Sequence, residues 1–385
     1  MFKRSDLEAL ANIKAAPVVS IYLPTHEKGR EIRQDPIRLK NALQTVAERL
    51  AEAGHRPPEI EALLAPAQAL VDDEVFWRYQ GLGLALFMAE GLFQQHRLPI
   101  EVRELQVVGP RAHLKPLLPL LARDGRFYVL TTTAHESHLY EGSRFALRRL
   151  DADLPQGVEA IAARTDYEGG AHAAPPARPR VAPSVGMPAS QAFGEAPEEQ
   201  RKSQFVDHLR HLQAAVRDAL GGDQAPLVLV AAPESQGHFR AVAGDLPLAE
   251  EGVQTDPASL DGDELLERTY AVVRPGFEKA REEDVGHFKA LKADDGGRAS
   301  TKPDEVVSAA VFGRVDTLFV ARGRNMWGRF DEAANKVHLE GEETGEGGDL
   351  LDLAATKTLL QGGKVHALAP EDMPSEGPLC AILRY

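Results

Sequence analysis

Apolar positions along this chain follow two periods, and the stretch from Pro303 to Tyr385 shows both. Residues 303–312 (Pro-Asp-Glu-Val-Val-Ser-Ala-Ala-Val-Phe) have helical spacing and stop at Gly313. The short apolar run 316–321 follows at once, as a buried strand would. Residues 349–360 predict a second helix ending on Gly362-Gly363, and 364–368 a second strand. Residues 379–385 close the chain as a last strand. Helix, glycine stop and buried strand, twice over, spell an α/β layer.

The first third predicts a short helix over 5–12, a buried strand over 18–23 ending at Pro24, and a long helix from Asp35 to about Ala53. Asp35 is placed to cap that helix, with Pro36 in its first turn. Ile37, Leu39, Leu43, Val46 and Leu50 supply much of its apolar face. Another helix is expected over 57–71, then a hairpin of 82–88 and 92–98 turning at Ala89-Glu90-Gly91. A new unit starts near Gly125, where three short strands (127–132, 136–140 and 144–150) suggest an antiparallel meander. The pattern then fails. Residues 165–196 are dense in Ala, Pro, Gly and Ser, a composition for a functional or structureless loop. Order returns at Pro197, with a helix to about Leu220 ending on Gly221-Gly222 and a strand over 227–232. Residues 262–292 form a charged helical connector. The fold class is therefore α/β, in three units: 1–124, 125–260 with its loop 165–196, and 261–385.

At 385 residues, each unit can bury its own core. No apolar run approaches the roughly 18 residues of a membrane span, so no membrane partner is expected. The N-terminus carries no signal-like apolar core. One cysteine, Cys380, cannot make an internal disulfide, and cytoplasm is the simplest compartment. The net charge of −14 is unevenly placed. Residues 1–124 carry 16 basic and 16 acidic side chains, 125–260 carry 12 and 18, and 261–385 carry 16 and 24. Such acidity argues against non-specific coating of nucleic acid, and no DNA partner is expected. A local basic patch could still contact RNA phosphates.

That patch is the segment Lys28-Gly29-Arg30-Glu31-Ile32-Arg33, continuing to Arg38 and Lys40. Its five basic residues face two acidic ones, in the one unit that is not net acidic, which suits contact with RNA phosphates. The competing reading is a solvated helix face. His208 and His211, like His135 and His138, are three apart, but one cysteine and no clustered third ligand argue against zinc. No metal or cofactor is expected. Gly221-Gly222 and Gly362-Gly363 follow helices rather than precede them, so they are helix caps and not phosphate loops.

The phrases Gly313-Arg314-Val315-Asp316-Thr317-Leu318, Asp349-Leu350-Leu351-Asp352-Leu353-Ala354 and Gly362-Gly363-Lys364-Val365 resemble the C-terminal domain of a bacterial family. That family is similar to archaeal and eukaryotic class-one peptide release factors and to the ribosome-rescue protein Pelota. The stretches 18–26, 34–41, 126–130 and 139–142 fit it too. The resemblance implies a ribonuclease-H-like middle domain, an L7Ae-like C-terminal domain and a ribosomal partner, through its RNA and its proteins. It also implies a role in ribosome rescue, stress or hibernation. In release factors the middle-domain loop carries Gly-Gly-Gln, whose glutamine places a water at the peptidyl ester. Here the loop has Gly169-Gly170 followed by Ala171 and His172. Ala171 has no polar atom to orient a nucleophile, and His172 is a base without a paired carboxylate. The expectation is a binder without peptidyl-tRNA hydrolysis. Two alternatives stay open: a hydrolase of an ester or phosphodiester with an unrecognised site, and an acidic protein-binding adaptor.

Overall fold

A computed structural model describes residues 4–13, 15–26, 31–121, 125–133, 135–155, 197–294, 296–341 and 347–385. The chain forms two compact units: Met1–Asp124 together with Gly276–Tyr385, and Gly125–Pro275. Both are mixed α/β.

The first part of the discontinuous unit contains α1 (Arg4–Ala11), β1 (Val18–Pro24), α2 (Asp35–Glu52), α3 (Pro57–Val71) and α4 (Glu74–Arg78). It continues with β2 (Gly83–Ala89), β3 (Leu92–Leu98), β4 (Leu105–Gly109) and α5 (Leu118–Leu121). The sheet is antiparallel in the order β3-β2-β1-β4. On one face Ile21 and Leu23 of β1 and Leu84 and Leu86 of β2 meet Leu39, Leu43 and Leu50 of α2 and Leu64 of α3. The alternate residues Ser20, Tyr22, Ala85 and Phe87 are buried as well, so both central strands are covered on both faces. That is why they read as continuous apolar runs.

The start of α2 departs from expectation. Asp35 does not cap it: Gln34 holds the cap position with no side-chain bond, and Asp35 is the first helical residue. Its carboxylate is turned back to the end of β1 instead. Oδ2 accepts the backbone N–H of His26 at 3.0 Å, and His26 Nδ1 lies 2.9 Å from Oδ1.

The second unit contains β5 (Phe127–Thr132), β6 (Ser137–Gly142), β7 (Leu147–Arg149), α6 (Pro197–Leu220), β8 (Leu227–Ala231), α7 (Pro233–Val242) and β9 (Val253–Gln254). The expected meander is present, but β7 is shorter than its apolar run. Ser143 Oγ accepts the N–H groups of Phe145 and Ala146 at 3.2 and 3.3 Å, which makes a turn of those residues. β8 joins β5 in parallel and β9 joins β8 in parallel, giving the order β7-β6-β5-β8-β9. Leu209, Leu212 and Val216 of α6 and Phe239 of α7 close the core over Leu130, Leu227 and Leu229. α8 (Gly262–Ala293) then runs across the unit boundary, which falls at its Pro275-Gly276 pair. Among the described residues no helix is long and apolar enough to cross a membrane.

The rest of the first unit comprises β10 (Ala299–Ser300), α9 (Pro303–Val311), β11 (Val315–Ala321), β12 (Trp327–Asp331), β13 (Lys336–Leu339), β14 (Gly348–Asp349), α10 (Leu350–Leu360), β15 (Lys364–Leu368) and β16 (Leu379–Leu383). Its main sheet has the order β10-β16-β11-β15, with β11 and β15 parallel. Phe319, Cys380 and Ile382 pack on Phe288 of α8. Asp284 of α8 is 2.9 Å from His366 Nε2 and 3.1 Å from Lys364 Nζ on β15, which fixes the helix to the sheet. α10 is buried around most of its circumference, Asp352 included, as a central helix must be.

Candidate functional site

The basic segment lies between β1 and α2. Lys28 and Arg30 fall outside the described residues. Of the others, Arg33 is exposed on a one-turn helix (Glu31–Gln34), Arg38 is half-buried and Lys40 is exposed. Arg38 and Lys40 flank the buried Leu39 on α2 and are two positions apart, so they look out on opposite sides of that helix. The segment is clamped at both ends. Thr25 donates its hydroxyl to Gly81 O at 2.7 Å and its N–H to Leu82 O at 3.1 Å. Asp35, buried, holds His26 from the other side.

Gly169, Gly170, Ala171 and His172 also lie outside the described residues. Of the paired histidines, His135 is exposed in the turn before β6 and His138 is half-buried on it; His208 is buried and His211 exposed. Among the described residues no three His, Cys, Asp or Glu side chains gather as metal ligands. Gly221 and Gly362 take positive φ of 58° and 79° beyond their helices, as caps do.

The sequence reading missed a buried polar seam in the first unit, where the segment after β4 meets the start of α10. Asp352 Oδ1 accepts the N–H groups of Leu114 at 2.6 Å and Lys115 at 2.5 Å. Asp349 caps α10 through Leu351 N at 3.0 Å, accepts Met326 N at 3.0 Å, and pairs with Lys115 Nζ. Tyr22 donates to His113 O at 2.6 Å, and His113 N donates to Ser20 Oγ at 3.0 Å. Arg111 Nη2 donates to Asp349 O at 3.1 Å and lies against Gly348, where a Cβ would stand 2.9 Å from it.

Burial governs the protonation of this seam. It pushes the Asp352 carboxyl up, against the nearby His113 and Arg111. It pulls His113 down, favouring a neutral imidazole, and pulls Arg111 down against the two aspartates. It drives Tyr22 well above the ordinary phenol range, with the charge of Asp352 adding to the effect. Tyr22, His113, Asp349 and Asp352 are all at most 3 % exposed, so a substrate in solution cannot reach them. The seam is a lock. Its only sequence signal was Asp349 and Asp352 inside an apolar helix pattern.

A cleft of about 460 Å³ lies in the second unit, between β5, β6 and the start of α8. Glu136, His138, Tyr140, Asp261 and Asp263 line its polar side, over Phe145 and Leu265. His138 Nε2 is 3.2 Å from Glu136 Oε2, and its ring meets the Tyr140 ring edge-on at 6.4 Å. Asp261 is engaged in capping α8 through Glu264 N at 2.8 Å.

Residues 126–314 match the model of bacterial archaeo-eukaryotic release factor family 3. The matched segment is just under half of the chain, and over it the protein is similar to that bacterial family. No curated protein matches the chain. Among solved structures it is similar to the archaeal translation termination factor aRF1, at 15% identity over 98% of this chain and 96% of that one, with a TM-score of 0.23. Pelota of Archaeoglobus fulgidus is 13% identical over 78% and 79% of the two chains, TM-score 0.25. Dom34 of S. cerevisiae, a translation termination-like factor that interacts with Hbs1, is 13% identical over 77% and 75%, TM-score 0.34.

Proposed function

We propose that this protein, a bacterial relative of release factors across residues 126–314, is a ribosome-associated factor that works in rescue, stress or hibernation without hydrolysing peptidyl-tRNA. The family match is the observation that carries the reading. The absence of hydrolysis rests on Ala171, which stands after Gly169-Gly170 where a water-placing glutamine would be needed. In this reading the protein acts in the cytoplasm as a shape that occupies a site. The first 124 residues form its RNA-facing part, with exposed Arg33 and Lys40 among the groups that meet phosphate. The mixed five-stranded sheet supports a ribonuclease-H-like middle domain, and the sheet around β11 with helices on it supports an L7Ae-like C-terminal one.

Co-sedimentation with empty and translating 70S ribosomes, at low and moderate salt, tests the proposal. Stoichiometric binding that persists at moderate salt is expected, with no peptide released from ribosomes carrying peptidyl-tRNA. Absence of binding to both forms would overturn the ribosome reading. Release of peptide would overturn the non-hydrolytic part alone.

A further inference from the structure

The run Ala321 to Phe330 reads Ala-Arg-Gly-Arg-Asn-Met-Trp-Gly-Arg-Phe, with three arginines and no acid. It stands out in a C-terminal stretch where acidic side chains outnumber basic ones by 24 to 16. Arg322, Gly323, Arg324 and Asn325 are exposed in the turn between β11 and β12. A fourth arginine joins them from far away in sequence. Gly323 has a φ of +69°, and a Cβ there would stand 3.6 Å from Arg103 Nη1, so the exposed Arg103 lies against the turn between Arg322 and Arg324. No hydrogen bond or ion pair engages these three guanidinium groups among the described residues. The nearby acids are otherwise occupied or apart. Asp349 is used by Lys115, Met326 and Leu351, and Glu104 accepts from Gln106 Nε2 at 3.1 Å. Glu101 is exposed and makes no ion pair with Arg103.

The turn is also held rigid from below. Ala321 N donates to Pro378 O at 2.8 Å and Arg322 N to Leu368 O at 2.7 Å. Lys115 Nζ donates to Arg324 O and Asn325 Oδ1, each at 2.5 Å. Two like charges on a fixed turn, with a third laid against it, repel one another unless an anion sits among them. We infer that Arg103, Arg322 and Arg324 form a preorganised site for the phosphodiester backbone of RNA. The guanidinium fork matches two phosphate oxygens at once. Asn325 and the half-exposed Trp327 beside it add a hydrogen-bonding amide and a ring edge for a base, which an acidic peptide would not use. The inference leans on the ribosome reading only for where that RNA would come from.

The test uses the full chain and a labelled oligouridine of about twelve nucleotides, with binding followed by anisotropy across a salt series. In the triple variant Arg103→Gln, Arg322→Gln, Arg324→Gln, the slope of log affinity against log salt should fall by about 2, at roughly 0.7 per lost single-strand phosphate contact. Affinity at low salt should fall about tenfold or more. Arg210→Gln, which removes an exposed arginine paired with Asp207, should leave both unchanged. The triple Lys variant should keep the slope while losing affinity, and unchanged urea midpoints would show that neither variant misfolds. Equal slopes in wild type and the Gln variant, or no oligouridine binding by wild type, would overturn the inference. Binding of polyglutamate instead of oligouridine, lost in the Gln variant, would reassign the site to an acidic partner. Ribosome sedimentation run alongside separates the two claims. Oligouridine binding without ribosome binding sinks the proposed function and spares this site, and the reverse pattern sinks this site alone.

Discussion

Asp352 on α10 accepts the backbone N–H of Lys115 at 2.5 Å, joining groups 237 positions apart in the chain. The same oxygen takes the N–H of Leu114, so one buried carboxylate satisfies two buried donors. Asp352→Ala would leave both unpaired and should cost roughly 2–5 kcal/mol in urea unfolding. Asp352→Asn keeps a carbonyl acceptor and removes a buried charge, so its cost should be far smaller. The pH dependence has a definite sign. Burial raises this carboxyl, so the folded chain holds its proton more tightly than the unfolded chain does. Its contribution is full at pH values below the unfolded pKa and is lost as pH rises through the folded value. The Asn variant should therefore gain on wild type as pH climbs from about 4 towards 7. A constant gap across that range would refute the assignment.

Asp35 should be as sensitive to truncation as a core residue, although it begins a helix. Asp35→Ala removes the acceptor of His26 N–H and the partner of the His26 ring. A loss of roughly 1–3 kcal/mol is expected. Hydrogen exchange at His26 should speed up by more than the global change accounts for, since the clamp on the basic segment is gone. If exchange there followed global stability alone, the clamp would have no local role.

Charge reversal at Arg33, Arg38 and Lys40 should leave the urea midpoint nearly unchanged, because these groups contribute little core. Ribosome binding should weaken, and its salt slope should drop by roughly 0.7–0.9 for each residue that touches a phosphate. Because Arg38 and Lys40 look out on opposite sides of α2, their separate reversals should differ in effect. Unchanged affinity in all three would remove this segment from the interface.

Cys380 is fully buried on β16, and burial pushes its thiol up to about 11. Thiolate is the reactive form, so the native chain should resist alkylation at pH 8. As the one cysteine in the sequence, it should then report unfolding of the unit that holds β16, reacting only as urea opens the Phe288–Phe319 core. Rapid alkylation of the native chain would contradict the packing described here.

Local pattern determined much of this protein. The helices Pro57–Val71 and Pro197–Leu220, the hairpin around Glu90-Gly91 and the paired helix-and-strand writing after Pro303 were all legible, because each depends on periodicity and a nearby glycine or proline. The family wording was legible for the same reason, residue by residue. What the sequence could not determine was pairing over distance. The parallel partnership of β5 with β8 joins strands about a hundred residues apart, and no local signal reports it. Asp35 looked like a cap and became a clamp because its carboxylate found His26 across the end of β1 rather than its own helix. Asp349 and Asp352 looked like interruptions of an apolar helix, yet Asp352 binds backbone donors from the segment after β4 and Asp349 binds the N–H of Met326 before β12. Arg103 meets the Arg322–Arg324 turn only in the folded chain. In each case the deciding term is the cost of an unpaired polar group or the field of a neighbouring charge, and both depend on which atoms folding brings together.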